Sequence, residues 1–149
     1  MSNTDPGSVQ YISFNVTAAG LFSISAQGQS SLDPDDFWNM DPQIHLFSSS
    51  LSLANLIASD DDSGIGLDSL ISQFLTTGHY ILAVSEFLFT ASEAVAGSNA
   101  ESVDDPGYIR VTIDSRDGDA HLSSVPEPSG LALFGLGLLG LAWRRKASA

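Results

Sequence analysis

Asp41, the consecutive Asp60, Asp61 and Asp62, and Asp68 are the side chains whose type and spacing point most directly to a chemistry. Carboxylate oxygens are hard donors. Calcium takes about six to eight such oxygens, commonly carboxylates mixed with backbone carbonyls, with glycine permitting the tight wrap. Ser63-Gly64-Ile65-Gly66 supplies flexible backbone of that kind between Asp62 and Asp68. Three adjacent carboxylates repel one another unless water or a cation screens them. The spacing is not that of an EF-hand, and the competing expectation is a solvated turn, for which aspartate is well suited. Calcium held by these five aspartates is the expected cofactor. A second acidic group, Asp33-Pro34-Asp35-Asp36 followed by Phe37 and Trp38, either joins that site or forms an aromatic contact surface, or simply covers one end of the domain.

Little else suggests catalysis. His45, His79 and His121 occur in three separate contexts, and none belongs to an HExxH or G-x-S-x-G motif. The expectation is therefore a protein that is not an enzyme. The alternative is a small secreted hydrolase using His79 with a nearby acid and serine. With no cysteine, thiol chemistry and disulfides are excluded. Ahead of Pro126 lie 17 of the 18 acids and only Arg110 and Arg116 of the five cations, a net charge of −15. Such a body repels nucleic acid and other anionic polymers and attracts divalent cations.

The elements that must position these residues read as strands. Period-two alternation places Ile12, Phe14 and Val16 on one face of residues 10–16, and Phe22, Ile24 and Ala26 on one face of 21–26. Ile44 and Leu46 continue the pattern, and apolar clusters at 53–58 and 70–74 flank the acidic turn. Residues 79–85 are apolar on nearly both faces, as in a central strand, and Ile109, Val111 and Ile113 form the inward set of the last one. Seven or eight short strands broken by Gly, Pro and Asp turns predict an all-β fold: an antiparallel β-sandwich of jelly-roll type over residues 1–113. Asp104-Asp105-Pro106-Gly107 is expected to be a plain turn and residues 114–119 a solvated spacer, opening a linker over 114–128.

Residues 129–149 are a separate physical object. Positions 129–143 carry no charge, with Leu131, Leu133, Phe134, Leu136, Leu138, Leu139 and Leu141 distributed all round a helix. As a helix the run spans about 22 Å against a hydrocarbon core of roughly 30 Å, a shortfall that bilayer thinning covers at modest cost. It ends on Trp143, an interfacial aromatic, and on the cationic Arg144, Arg145 and Lys146. A C-terminal transmembrane helix is therefore expected. Val125-Pro126-Glu127-Pro128 ahead of it can continue neither strand nor helix and reads as a stiff exposed spacer.

This order over Val125–Lys146 resembles the PEP-CTERM sorting signal of Gram-negative bacteria, a segment also classed as an ice-binding protein C-terminal domain, a label that says nothing of affinity for ice. The resemblance implies an exported protein held transiently in the inner membrane. An exosortase-type protease would cut near Pro126-Glu127-Pro128 and release the body to the cell surface or extracellular matrix. Proteins of this kind carry an N-terminal secretion signal, whereas Met1–Ser8 has neither a basic start nor an apolar run. The body is also similar to bacterial pre-peptidase C-terminal domains. The resemblance is carried by Asp41–Phe47, Leu56–Asp62, Gly66–Leu70 and Thr77–Val84, in that family's order. It implies a secreted, accessory β-sandwich, with calcium and extracellular polysaccharide as expected ligands. A purely structural spacer remains the alternative.

Overall fold

Alternation of apolar and polar residues becomes alternation of buried and exposed side chains wherever a strand has one wet face. The computed structural model describes residues 2–4, 8–29, 40–100 and 107–123. In β2 (Gln10–Ala18), Phe14 and Val16 are buried, and in β3 (Gly20–Gln29) so are Phe22, Ile24 and Ala26, with Leu21 and Ser23 facing water. The remaining strands are β1 (Ser2–Thr4), β4 (Pro42–Ser48), β5 (Leu56–Asp60), β6 (Ser69–Leu75), β7 (Gly78–Glu86), β8 (Gly107–Ser115) and β9 (Asp119–Leu122). Among the described residues, helix is limited to α1 (Ala91–Ala96) and a 3-10 turn at Leu53–Asn55, which occupies the first part of the apolar cluster at 53–58.

The strands form two antiparallel sheets, one in the order β1-β8-β3-β6 and the other β5-β4-β7-β2-β9. One core joins them: Phe22, Ile24 and Ala26 of β3, Ile71 and Leu75 of β6 and Ile109 of β8 meet Phe14 and Val16 of β2, Ile44 and Leu46 of β4 and Leu82 and Val84 of β7. Cross-strand partners reinforce it, for example Phe14 opposite Tyr80 in β7, their rings stacked at 5.6 Å. Strand β7 lies between β4 and β2 and buries both faces, as its continuous apolar run predicts.

Strand β4 departs from simple alternation, because His45 and Phe47 are buried as well as Ile44 and Leu46. The cause is a cover on the outer face of its sheet. Phe89 and Ala94, from the segment after β7, pack there with Phe47 and Ala83 as a second small core. The cover is held by named bonds: Phe89 N–H to Gln43 Oε1 (2.7 Å), Tyr11 O–H to the Ala94 carbonyl (2.6 Å) and Asn99 Nδ2 to Ser85 Oγ (3.0 Å). Thr90 and Glu93 cap α1 reciprocally, and Gly97 ends it in the left-handed region at φ 80°.

The sandwich also extends beyond residue 113. Strand β8 runs to Ser115, and β9 pairs with β2, setting His121 opposite Asn15. Residues 114–119, expected to be a solvated spacer, instead carry the chain from one sheet to the other. Asp117 Oδ1 accepts from Leu21 N–H at 3.0 Å, and Ser115 Oγ donates to the Leu21 carbonyl at 2.9 Å. The same Asp and Ser side chains that suit solvated loops also bind backbone in tight turns, and four residues of β9 are too few for periodicity to show. The Asp33–Trp38 group, Asp104–Pro106, Val125–Pro128 and residues 129–149 lie outside the described residues.

Candidate metal site and its surroundings

Antiparallel pairing of β4 with β5 brings the start of one beside the end of the other, with Ile44 opposite Asp60. Asp41, just before β4, therefore meets Asp61 and Asp62, just after β5. One carboxylate oxygen from each lies within 4.8 Å of the others. At that separation two unit charges repel by about 1 kcal/mol in water and about 3–4 kcal/mol at a protein surface. Asp41 Oδ1 and Asp61 Oδ1 are buried and accept no hydrogen bond. Orphaned buried carboxylate oxygens facing like charges are a costly arrangement, and a hard divalent cation is the group that suits it.

The electrostatics agree in direction. Desolvation first, and then the fields of Asp61 and Asp62, push the Asp41 carboxyl up to about 6. Desolvation, followed by Asp62 and Asp60, raises Asp61 as well.

The structure separates the other two expected ligands from this group. Asp60 Oδ2 accepts from Leu70 N–H at 2.6 Å and Ser63 N–H at 3.1 Å, closing the turn. Asp68 Oδ1 accepts from Gly28 N–H at 3.0 Å, tying the loop to β3. Each thus has one carboxylate oxygen engaged by backbone N–H groups of the turn or the neighbouring strand. In the same loop Gly64 N–H bonds the Asp68 carbonyl at 2.7 Å, and a Cβ at Gly64 would collide with that oxygen. Ser69, fully buried, has its hydroxyl within hydrogen-bond distance of the carbonyls of Pro42 (2.5 Å), Asp61 (2.7 Å) and Asp60 (3.0 Å). It thereby knots the ends of β4, β5 and β6 that carry the cluster. Ser69 falls within the Gly66–Leu70 segment singled out above, but its knotting role depends on carbonyls that only the fold brings to it.

The histidines take no part in this cluster. His79 Nδ1 lies 3.3 Å from the Ser49 carbonyl, and among the described residues no carboxylate or serine hydroxyl bonds its ring. His121 makes an exposed 3.5 Å contact with Asp119, of a kind worth little in water. His45 is 3% exposed, with Nε2 2.9 Å from the Phe89 carbonyl and Nδ1 2.7 Å from Ser59 Oγ. The carbonyl requires N–H at Nε2, so Nδ1 accepts from Ser59 in the neutral ring. Burial lowers the His45 pKa against the raising effects of Phe89 and Glu93. The folded state thus resists a proton that the unfolded chain takes up near its ordinary value of 6.5, and stability falls as pH drops through that value. Melting curves between pH 7.5 and 5 should show a decline that His45→Gln reduces; an equal decline in both proteins would refute this linkage.

A cleft of about 520 Å³ opens between the sheets beside β9, walled by Ile12, Phe14, Phe22, Val111 and Ile113, and it shares no residue with the aspartate cluster. Among the described residues, no helix is long and apolar enough to cross a membrane.

Comparison with known proteins identifies one segment. Residues 124–146 match the family model of the PEP-CTERM protein-sorting motif. No curated protein matches the chain.

Proposed function

We propose that the chain is a non-catalytic protein of the cell envelope, delivered by its PEP-CTERM motif, whose sandwich binds calcium and extracellular polysaccharide. The observation that carries this is the motif at residues 124–146, which implies export and processing by exosortase at the membrane. Within it, Val125–Pro128 are the recognition segment, Leu131 to Trp143 the transient inner-membrane anchor, and Arg144, Arg145 and Lys146 the cationic stop. Once released, the body resides at the cell surface or in the extracellular matrix.

For the body, the strand orders β1-β8-β3-β6 and β5-β4-β7-β2 support a jelly-roll sandwich, with β9 added at an edge. Asp41, Asp61 and Asp62 are the residues to hold calcium, and their two unpartnered buried oxygens support that reading. The ion would supply charge neutralisation, joining the start of β4 to the end of β5 without any reaction. Asp60 and Asp68, engaged by backbone N–H groups, support the site from outside it.

The delivery reading is tested by expressing the full chain in an exosortase-bearing host and fractionating the cells. A longer form is expected in the inner membrane and a shorter one outside. Replacing Pro126 and Glu127 by alanine should trap the longer form at the membrane. An unaltered size distribution in that variant would overturn the reading.

A further inference from the structure

Ser59 and His45 stand opposite one another across the β4–β5 pair, and their surroundings differ. The imidazole is sealed in, with the Phe89 ring centroid 4.9 Å from its own. Ser59 is exposed, on the strand at the edge of the five-stranded sheet. The hydrogen bonds between them run in one direction. The Phe89 carbonyl accepts from Nε2–H, which fixes the tautomer and turns the Nδ1 lone pair onto the Ser59 hydroxyl, 2.7 Å away. A hydroxyl, a base within hydrogen-bond reach and a third group orienting that base form the arrangement that activates a serine.

Two features of the surroundings assist it. Burial holds the imidazole neutral and so able to take a proton, while the Phe89 carbonyl and the Glu93 charge favour the imidazolium formed when it does. Among the described residues, β5 pairs on one side alone, with β4. Alternate backbone N–H groups of such an edge strand point away from the sheet, where a developing oxyanion can meet them.

Charge selects the electrophile. Asp60, Asp61 and Asp62 follow Ser59 directly, whereas Arg110 and Arg116, the cations ahead of Pro126, lie in and just after β8 of the other sheet. A phosphoryl donor is repelled at such a place, and an uncharged carbonyl compound is not.

We propose that Ser59 is a nucleophilic hydroxyl that accepts an acyl group from an uncharged activated ester, with His45 as its base. Oγ bonds to the carbonyl carbon as its proton passes to Nδ1. The bond from that carbon to the ester oxygen then breaks, and the departing alcohol takes the proton back from Nδ1. The protein is left with one ester on Ser59. This modification goes beyond the envelope reading and does not rest on it.

The test exposes the full chain to p-nitrophenyl acetate at neutral pH and follows acetylation of each serine by peptide mass spectrometry. Ser59 should react roughly a hundredfold faster than Ser23 and Ser72, exposed serines with no imidazole partner among the described residues. His45→Gln should bring Ser59 down to their rate, because the glutamine amide can accept from Ser59 and donate to the Phe89 carbonyl but takes up no proton. Acetylation of Ser59 no faster than that of Ser23 and Ser72 in the parent protein overturns the proposal, and so does an undiminished rate in a folded His45→Gln. Should that variant fail to fold, the comparison among serines of the parent still decides. Release of many nitrophenolates per chain, abolished by Ser59→Ala, would keep the nucleophile and overturn the non-catalytic reading instead.

Discussion

Asp41→Asn is expected to raise the melting temperature of the calcium-free protein at pH 7 and to remove most of its response to calcium. The folded Asp41 carboxyl keeps its proton up to about 6, whereas the unfolded chain releases it near 3.8. Between those values the folded state binds more protons, so stability is lost as pH rises from about 4 through about 6. A shift of about two pKa units corresponds to roughly 3 kcal/mol, which solvent screening of this partly exposed carboxyl reduces to about 1 kcal/mol. For a sandwich of this size that is a rise of about 3–6 °C in the asparagine variant. Below about pH 4 the difference should vanish.

Calcium is expected to reverse the order. A ligand at a hundred times its dissociation constant stabilises by about 2.7 kcal/mol, and only the protein with its carboxylates intact gains this in full. Scanning calorimetry of both proteins in EDTA and in millimolar CaCl₂ checks the sign change. Equal shifts in the two proteins, or no shift in either, would eliminate the aspartate cluster as a calcium site. The opposing slopes of Asp41 and His45 between pH 4 and 7 make the two single variants more informative than the parent profile alone.

The second large effect is expected in the core. Leu82 is fully buried on β7, faces Leu46 on β4 and Ile12 on β2, and belongs to the cluster joining the two sheets. Leu82→Ala removes buried methyl groups and leaves a cavity that a three-strand neighbourhood cannot readily close, a loss of about 2–5 kcal/mol. Urea denaturation should show a lower midpoint at an unchanged slope. A cost below about 1 kcal/mol would mean that β7 does not occupy the centre of its sheet.

Strand periodicity was legible wherever each strand buried one face. Ile12, Phe14 and Val16, like Phe22, Ile24 and Ala26, announce the inward side of β2 and β3 because the pleat alternates with period two whatever the partner strand. The unbroken apolar run of β7 likewise signals a place between neighbours. Burial of His45 and Phe47 was not legible, since it depends on a cover arriving from Phe89 and Ala94, more than forty residues away in the chain. Nor was β9, whose four residues become a strand by pairing with an available edge of β2.

Sequence alone determined what is local or linear: the strand faces, the acidic balance of the body, and the sorting motif at 124–146, which is recognised by residue order. Tertiary structure decided the division among five similar aspartates. Asp60 and Asp68 meet backbone N–H groups, while Asp41 and Asp61 each keep a buried oxygen without a donor. Composition cannot make that distinction, because a carboxylate's role depends on which donors and charges the folded chain brings within a few ångströms of it.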